Sequence, residues 1–278
     1  MNIPWKFKSR CFRAIDFWRL DPVLYFLQKH VTKRSRVAFS KVDSNWLRHR
    51  EVLEAHKATG FVFEFGAGKT LAQNLYLSSV VDKQLVVDMN AMLDIRLVEE
   101  TRRALQQFVG LRTQVEITGL TDLSRYGITY AAPFNAASTS LPDNSVDACV
   151  STNTLEHIPP LDIKRILNEL RRIVKTDGVI SAKIDYSDHY SHTDSSISVL
   201  NFLAFSEEEW ARHNHNSHYQ NRLRHLDYCE LFSHCGFSIE IIDLVFPQST
   251  IPEHISERFR GENPSWQATS AHFVLQKQ

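Results

Sequence analysis

Residues 61–70 read Phe-Val-Phe-Glu-Phe-Gly-Ala-Gly-Lys-Thr, an apolar run that reaches an acid, Glu64, and breaks at once into two glycines one residue apart. Phe61, Val62, Phe63 and Phe65 predict a strand covered on both faces. Gly66 and Gly68 allow a tight turn whose backbone N–H groups can approach a ligand closely. Twenty residues past Gly68, Asp88 ends a second apolar run, Gln84 to Val87. A nucleotide-binding α/β unit places there a carboxylate that accepts both ribose hydroxyls; the alternative is a helix N-cap or loop acid. A third constellation, Asp185, His189 and His192, combines a carboxylate with two imidazoles. It reads as a general base, a divalent-metal site or polar loop structure; it matches no defined zinc spacing, so no metal is expected.

Three kinds of site could own the glycine turn. A P-loop needs glycine where this chain has Phe63, too large for a phosphate nest, and a dinucleotide fingerprint needs its third glycine at Leu71. What remains is acid-x-Gly-x-Gly, and with it a second stretch. Asn135-Ala136 precedes Leu141-Pro142, Asp147 opens an apolar strand, and Leu155-Glu156-His157 follows. Together these motifs resemble the class I S-adenosylmethionine (SAM)-dependent methyltransferases over about 61–245. The resemblance implies SAM as cofactor, held by Glu64, Phe65, Gly66, Ala67, Gly68, Asp88, Met89, Asn135, Ala136 and Asn153. Asn135 stands where the family has an acid that binds the adenine amino group; its side-chain carbonyl can still accept from that amine. His157, Asp185, His189 and His192 are the candidate catalytic residues. His157 has a structural alternative, because the family keeps Leu-Glu-His as a helix start.

Composition bounds the remainder. The 278 residues have 23% charged and 43% hydrophobic side chains and zero formal net charge, which gives no hint of nucleic-acid binding. Residues 1–50 nevertheless carry twelve Lys/Arg against three Asp/Glu, a net of +9, leaving −9 for the rest. Four cysteines without paired spacing suit a reducing cytoplasm, and no run approaches a membrane span. The basic arm reads as an amphipathic helix with Cys11, Ala14 or Ile15, and Trp18 at helical spacing. It either packs over the domain with its cations in water or meets an anionic membrane surface or partner through residues 1–40. The second alternative would place a cytoplasmic protein peripherally at the inner face of the membrane. The sequence assigns no oligomeric state.

Positioning these residues requires alternating strands and helices. Helices are expected at 22–28, 44–57, 71–77, 91–108, 162–174 and 228–235, and strands at 61–65, 84–88, 115–117, 128–130, 147–150, 179–184, 237–244 and 269–275. Thr176-Asp177-Gly178 would end one helix, and Asn153 to His157 would begin another. The fold class is α/β, a Rossmann-like seven-stranded sheet of order 3-2-1-4-5-7-6, the order taken from the family, with helices on both faces and an N-terminal helical extension. Residues 1–58 form that extension and 59–278 the catalytic domain. An insertion at about 185–225, carrying six of the thirteen histidines, would form the acceptor wall or a lid. Its Asp-Tyr-Ser-Asp-His-Tyr-Ser-His and Tyr-Gln-Asn-Arg-Leu-Arg-His strings resemble methyltransferases associated with bacterial polysaccharide gene clusters. That resemblance implies O-methylation of a sugar or glycan-related small molecule, with Arg222 and Arg224 either recognising a phosphate or carboxylate or serving as surface or ion-pair cations. A non-catalytic SAM-binding protein and an NAD-dependent reductase are the alternatives.

Overall fold

The computed structural model describes residues 3–18, 20, 42–248 and 251–278. The helix expected at 22–28 and the Lys33–Arg36 link lie outside the described residues. The centre is β1 (Phe61–Phe65), paired in parallel with β2 (Lys83–Val87) on one side and β4 (Val146–Thr152) on the other. β3 (Ile128–Ala131) extends the sheet beyond β2, and β5 (Val174–Asp185) extends it beyond β4, both in parallel. β7 (Ser270–Lys277) then runs antiparallel between β5 and β6 (Phe237–Val245), completing the order β3-β2-β1-β4-β5-β7-β6.

Period-two alternation divides β1 between two cores. Phe63 and Phe65 join the cluster built by α5 (Pro160–Ile173) and α7 (His225–His234). Val62 joins the opposite cluster, built by α2 (Ser44–Ala55), α3 (Ala72–Leu77) and α4 (Ile95–Leu105). Helices thus cover both faces, which explains strands of nearly continuous apolar character. The Asp43 carboxylate caps α2 by accepting from the Asn45 amide at 2.7 Å. The αL backbone at Leu71 (φ 48°) starts α3.

Three local expectations fail for identifiable reasons. No strand forms at 115–117, because its backbone is tied to side chains instead. The Ile117 amide donates to Glu99 Oε2 at 2.9 Å, and the Val115 carbonyl accepts from the Tyr126 hydroxyl. Residues 176–178 lie within β5 rather than ending a helix. α5 stops at Ile173, and the register shifts between the Val146–Val174 and Ala148–Val179 pairs. Leu155–His157 form a 3-10 turn, and α5 begins only at Pro160, whose fixed φ suits the first helical position.

The N-terminal arm is helical as expected, but on a different stripe. α1 (Trp5–Phe17) buries Trp5, Ser9 and Phe12 and leaves Cys11 and Trp18 exposed. Trp5 and Phe12 belong to a third apolar cluster with Tyr190, Leu200, Phe202 and Trp210, separate from both sheet cores. The Ser9 hydroxyl lies 2.8 Å from His213 Nδ1, and Asp16 Oδ2 accepts from the Asn216 amide at 2.6 Å. The helix is therefore pinned to the insertion, which carries the short α6 (Glu207–Ala211).

Candidate active site

The strand order reverses direction between β1 and β4, and ligands of open α/β sheets bind at the carboxyl ends beside such a switch. A cavity of about 560 Å³ opens there, lined by Phe65 and Gly66 after β1, Asp88 and Met89 after β2, Asn135 and Ala136 after β3, and Thr154 and His157 after β4. Its volume suits a nucleoside-sized ligand. Asp88 is held firmly at its wall: Oδ2 accepts from the Tyr130 hydroxyl at 2.9 Å and Oδ1 from the Gly68 amide at 3.3 Å. A carboxylate offers about four lone-pair sites, so it keeps room for two further donors. Burial pushes its pKa up, and the same hydrogen bonds oppose that shift.

Glu64 lies beneath the loop, outside the cavity lining, with Oε1 accepting from Gln73 at 3.1 Å and Oε2 from Asn74 at 2.7 Å. Burial drives its pKa up to about 7 against those two donors, with nearby Asp88 adding to the rise. Gly66 (φ 82°) and Gly68 (φ 72°) are both left-handed, and a Cβ on Gly66 would collide with the Thr154 side chain. Ala67 sits between these glycines in the turn. Asn135 is exposed, and its Oδ1 accepts from the Ala137 amide at 2.9 Å in a local turn. Met89 is 63% exposed at the cavity mouth.

Asn153 lines a different cavity of about 520 Å³, together with Lys183, Asp185, Ser187, Gln248, Thr269 and Ser270. Of the candidate catalytic residues, His157 lines the first cavity and Asp185 the second, and His189 lies near both of them. His157 Nδ1 is 2.9 Å from the Tyr219 carbonyl, which can only accept, so Nδ1 carries the proton and Nε2 the lone pair. Asn221 fixes that turn by donating to the Leu155 and Ile158 carbonyls, both at 2.8 Å. The His157 pKa is lowered, chiefly by burial, although the residue still borders the cavity. The His157 and His189 ring centroids are 4.8 Å apart, as are those of His189 and His192. Asp185 Oδ1 accepts from the Ser187 hydroxyl at 2.6 Å and its amide at 2.8 Å, leaving Oδ2 3.4 Å from His189 Nε2 and 3.9 Å from His192 Nε2. Burial opposes ionisation of Asp185, but its contacts with His189 and Ser187 outweigh it and hold the carboxyl below its ordinary value.

Several participants gave no sequence signal of their own. Tyr130 braces Asp88 across β2 and β3, and Glu156 is a buried neighbour of the histidines with both carboxylate oxygens unpartnered. Tyr130 could have been found from strand alternation once β3 was fixed. Of the alternatives for Arg222 and Arg224, Arg222 is the ion-pair cation, buried against Glu207, and Arg224 is a buried cation held by carbonyls rather than a surface one. Arg222 donates to the Phe202 and Phe205 carbonyls and pairs with Glu207; Arg224 donates to the Tyr186, Trp266 and Ala268 carbonyls. Neither offers its guanidinium to an acceptor's phosphate.

A family model described as a methyltransferase domain matches residues 97–182, which run from α4 into β5. No curated protein matches the chain. Among solved structures it is similar to the CurJ carbon methyltransferase at 14% identity and TM-score 0.50, over 92% of this chain and 61% of that one. It is also similar to the YcgJ protein of Bacillus subtilis at 17% identity and TM-score 0.47, over 83% of this chain and 99% of that one. A SAM-dependent methyltransferase from Archaeoglobus fulgidus aligns at 14% identity and TM-score 0.46, over 84% and 92% of the two chains.

Proposed function

We propose that the chain is a class I SAM-dependent methyltransferase, a reading supported by the methyltransferase-domain match over residues 97–182, the sheet order and the cavity at the strand switch, and that it O-methylates a hydroxyl-bearing small molecule, a sugar or glycan-related acceptor. The methyltransferase-domain match over residues 97–182 favours methyl transfer over the NAD-dependent and non-catalytic alternatives. When bound, SAM supplies a methyl group already activated by its sulfonium sulfur. The residues fit it: Asp88 has lone pairs free for two hydroxyl donors, and Asn135 has one for an amine. Phe65, Gly66, Met89 and Ala136 supply the walls, Ala67 and Gly68 the turn, and Glu64 its floor.

The observation that carries the acceptor reading is the histidine-carboxylate cluster between a cofactor cavity and a second cavity lined by Asn153, Lys183, Ser187, Thr269 and Ser270. A hydroxyl acceptor needs its proton removed, and His157 Nε2 has the free lone pair to take it, worth about 10²–10⁴-fold. Asp185, His189 and His192 orient the hydroxyl. Alignment of the two reactants supplies up to roughly 7–11 kcal/mol of the barrier reduction. A screen of nucleotide sugars and lipid-linked glycans with labelled SAM tests this reading. Labelling of a hydroxylated acceptor supports it, and labelling only of amines, carbon acids or macromolecules overturns it.

No helix among the described residues is long and apolar enough to cross a membrane. We propose α1 as a peripheral contact with a membrane surface. Phe7, Phe17 and Trp18 are 61%, 76% and 69% exposed beside Lys6, Arg10 and Arg13, the pairing an anionic surface favours. Salt-sensitive flotation with anionic vesicles is expected; absence of flotation at low salt removes this contact and leaves the packing role.

A further inference from the structure

We propose that Asp185, His189 and His192 bind one divalent first-row transition cation, which holds the acceptor's hydroxyl oxygen; the second clause rests on the acceptor reading above. The sequence expectation was a site without metal, and the geometry argues otherwise. Donor atoms of the three residues lie within 4.8 Å of one another. First-row cations sit roughly 2.0–2.2 Å from nitrogen and oxygen ligands, so donors sharing an ion stand about 3–4 Å apart. The separations of 3.4 Å and 3.9 Å from Asp185 Oδ2 already fall in that range.

Hydrogen bonding accounts for only part of the cluster. Ser187 saturates Asp185 Oδ1 and leaves Oδ2 aimed at the imidazoles, and its hydroxyl also lies 3.3 Å from His192 Nε2, the contact a bound cation would replace. His189 Nε2 is buried and, despite its nearness to Asp185, has no hydrogen-bond partner. Such an orphaned polar atom is costly unless a ligand satisfies it. Glu156 repeats the anomaly on the other side of the cluster. It is 2% exposed, neither carboxylate oxygen has a partner, and its donor lies within 4.8 Å of those of His157 and His189. Lys183 is the charged neighbour that already acts on this buried carboxylate, and a nearby dication would add to its countercharge. Two imidazoles and one carboxylate leave coordination positions open, and those positions suit oxygen ligands from an acceptor. Asp185 also lines the second cavity, so an ion there faces the acceptor's space.

The test uses the full chain, stripped of metal with a chelator and titrated with Co²⁺, followed by calorimetry and by visible ligand-field absorption. One equivalent per chain is expected for the wild type. His189→Ala and Asp185→Asn should weaken it by about a hundredfold or more, while His234→Ala, an exposed histidine on α7, should leave it unchanged. Unaltered SAM affinity in His189→Ala would show that the variant is folded. Absence of saturable one-equivalent binding, or equal affinity in His189→Ala and the wild type, overturns the site. Wild-type turnover of an identified acceptor in excess chelator overturns the cation's role and leaves the methyl-transfer reading standing. Stoichiometric Co²⁺ binding without methylation of any hydroxylated acceptor does the reverse.

Discussion

Asp88 and Glu64 close adjacent strands, and their environments give them different work. Asp88 borders the cavity at the strand switch with two oxygens braced by Tyr130 and Gly68. Replacing it with alanine removes a charged acceptor from two hydroxyls, and SAM affinity should fall by about 2–4 kcal/mol in calorimetry; unchanged affinity would show that the carboxylate serves only the loop. Glu64 has a folded-state pKa of about 7, above its ordinary 4.5. The folded chain therefore holds a proton that the unfolded chain releases. The stabilisation from that proton is fully present below about pH 4.5 and is lost as pH rises through about 7. Urea midpoints measured across that window should fall more steeply for the wild type than for Glu64→Gln, and parallel profiles would contradict the shift.

Elements carry these residues to one edge, and two of them can be tested as units. The glycine turn works only with φ near +80° at Gly66, where Thr154 also blocks any Cβ. Gly66→Val should abolish SAM binding with the far-UV circular dichroism spectrum retained; normal binding would mean that the turn does not shape the cavity. α1 belongs energetically with the insertion. Trp5 packs against Tyr190 with ring centroids 5.6 Å apart, and Phe12 stacks on His218 at 4.6 Å. We therefore treat the arm and residues 185–225 as one covering unit. Trp5→Ala should cost that unit about 3–5 kcal/mol. Hydrogen exchange should accelerate at 190–218 and acceptor turnover should drop, with SAM affinity nearly unchanged. Exchange confined to the arm would separate the two elements.

At the scale of the molecule, the central strands β1, β4 and β5 were legible from their apolar character and the crossovers from helical stripes, while the strand order came from the family resemblance. Of the residues the sequence reading put at the strand ends, Asp88 and Asn135 border one cavity with Phe65, whereas Glu64 lies beneath the glycine loop and Asn153 lines the second cavity. The failures share a cause: they depend on tertiary partners. Arg222 and Arg224 look like ligand cations until the carbonyls that cage them are seen. The buried stripe of α1 includes Ser9, a residue no hydrophobic period selects, because its partners are histidines two hundred residues away. The unpartnered Glu156 is hidden inside a common motif. The central claim, oxygen methylation assisted by His157 between two cavities, is tested most directly by supplying ¹³C-methyl SAM and recording the carbon resonance of the product for wild type and His157→Ala. The expected result is a methoxy signal from the wild type and a rate lower by about 10²–10⁴-fold in the variant with SAM affinity retained. A methyl on nitrogen or carbon, or equal rates for the two proteins, would contradict it.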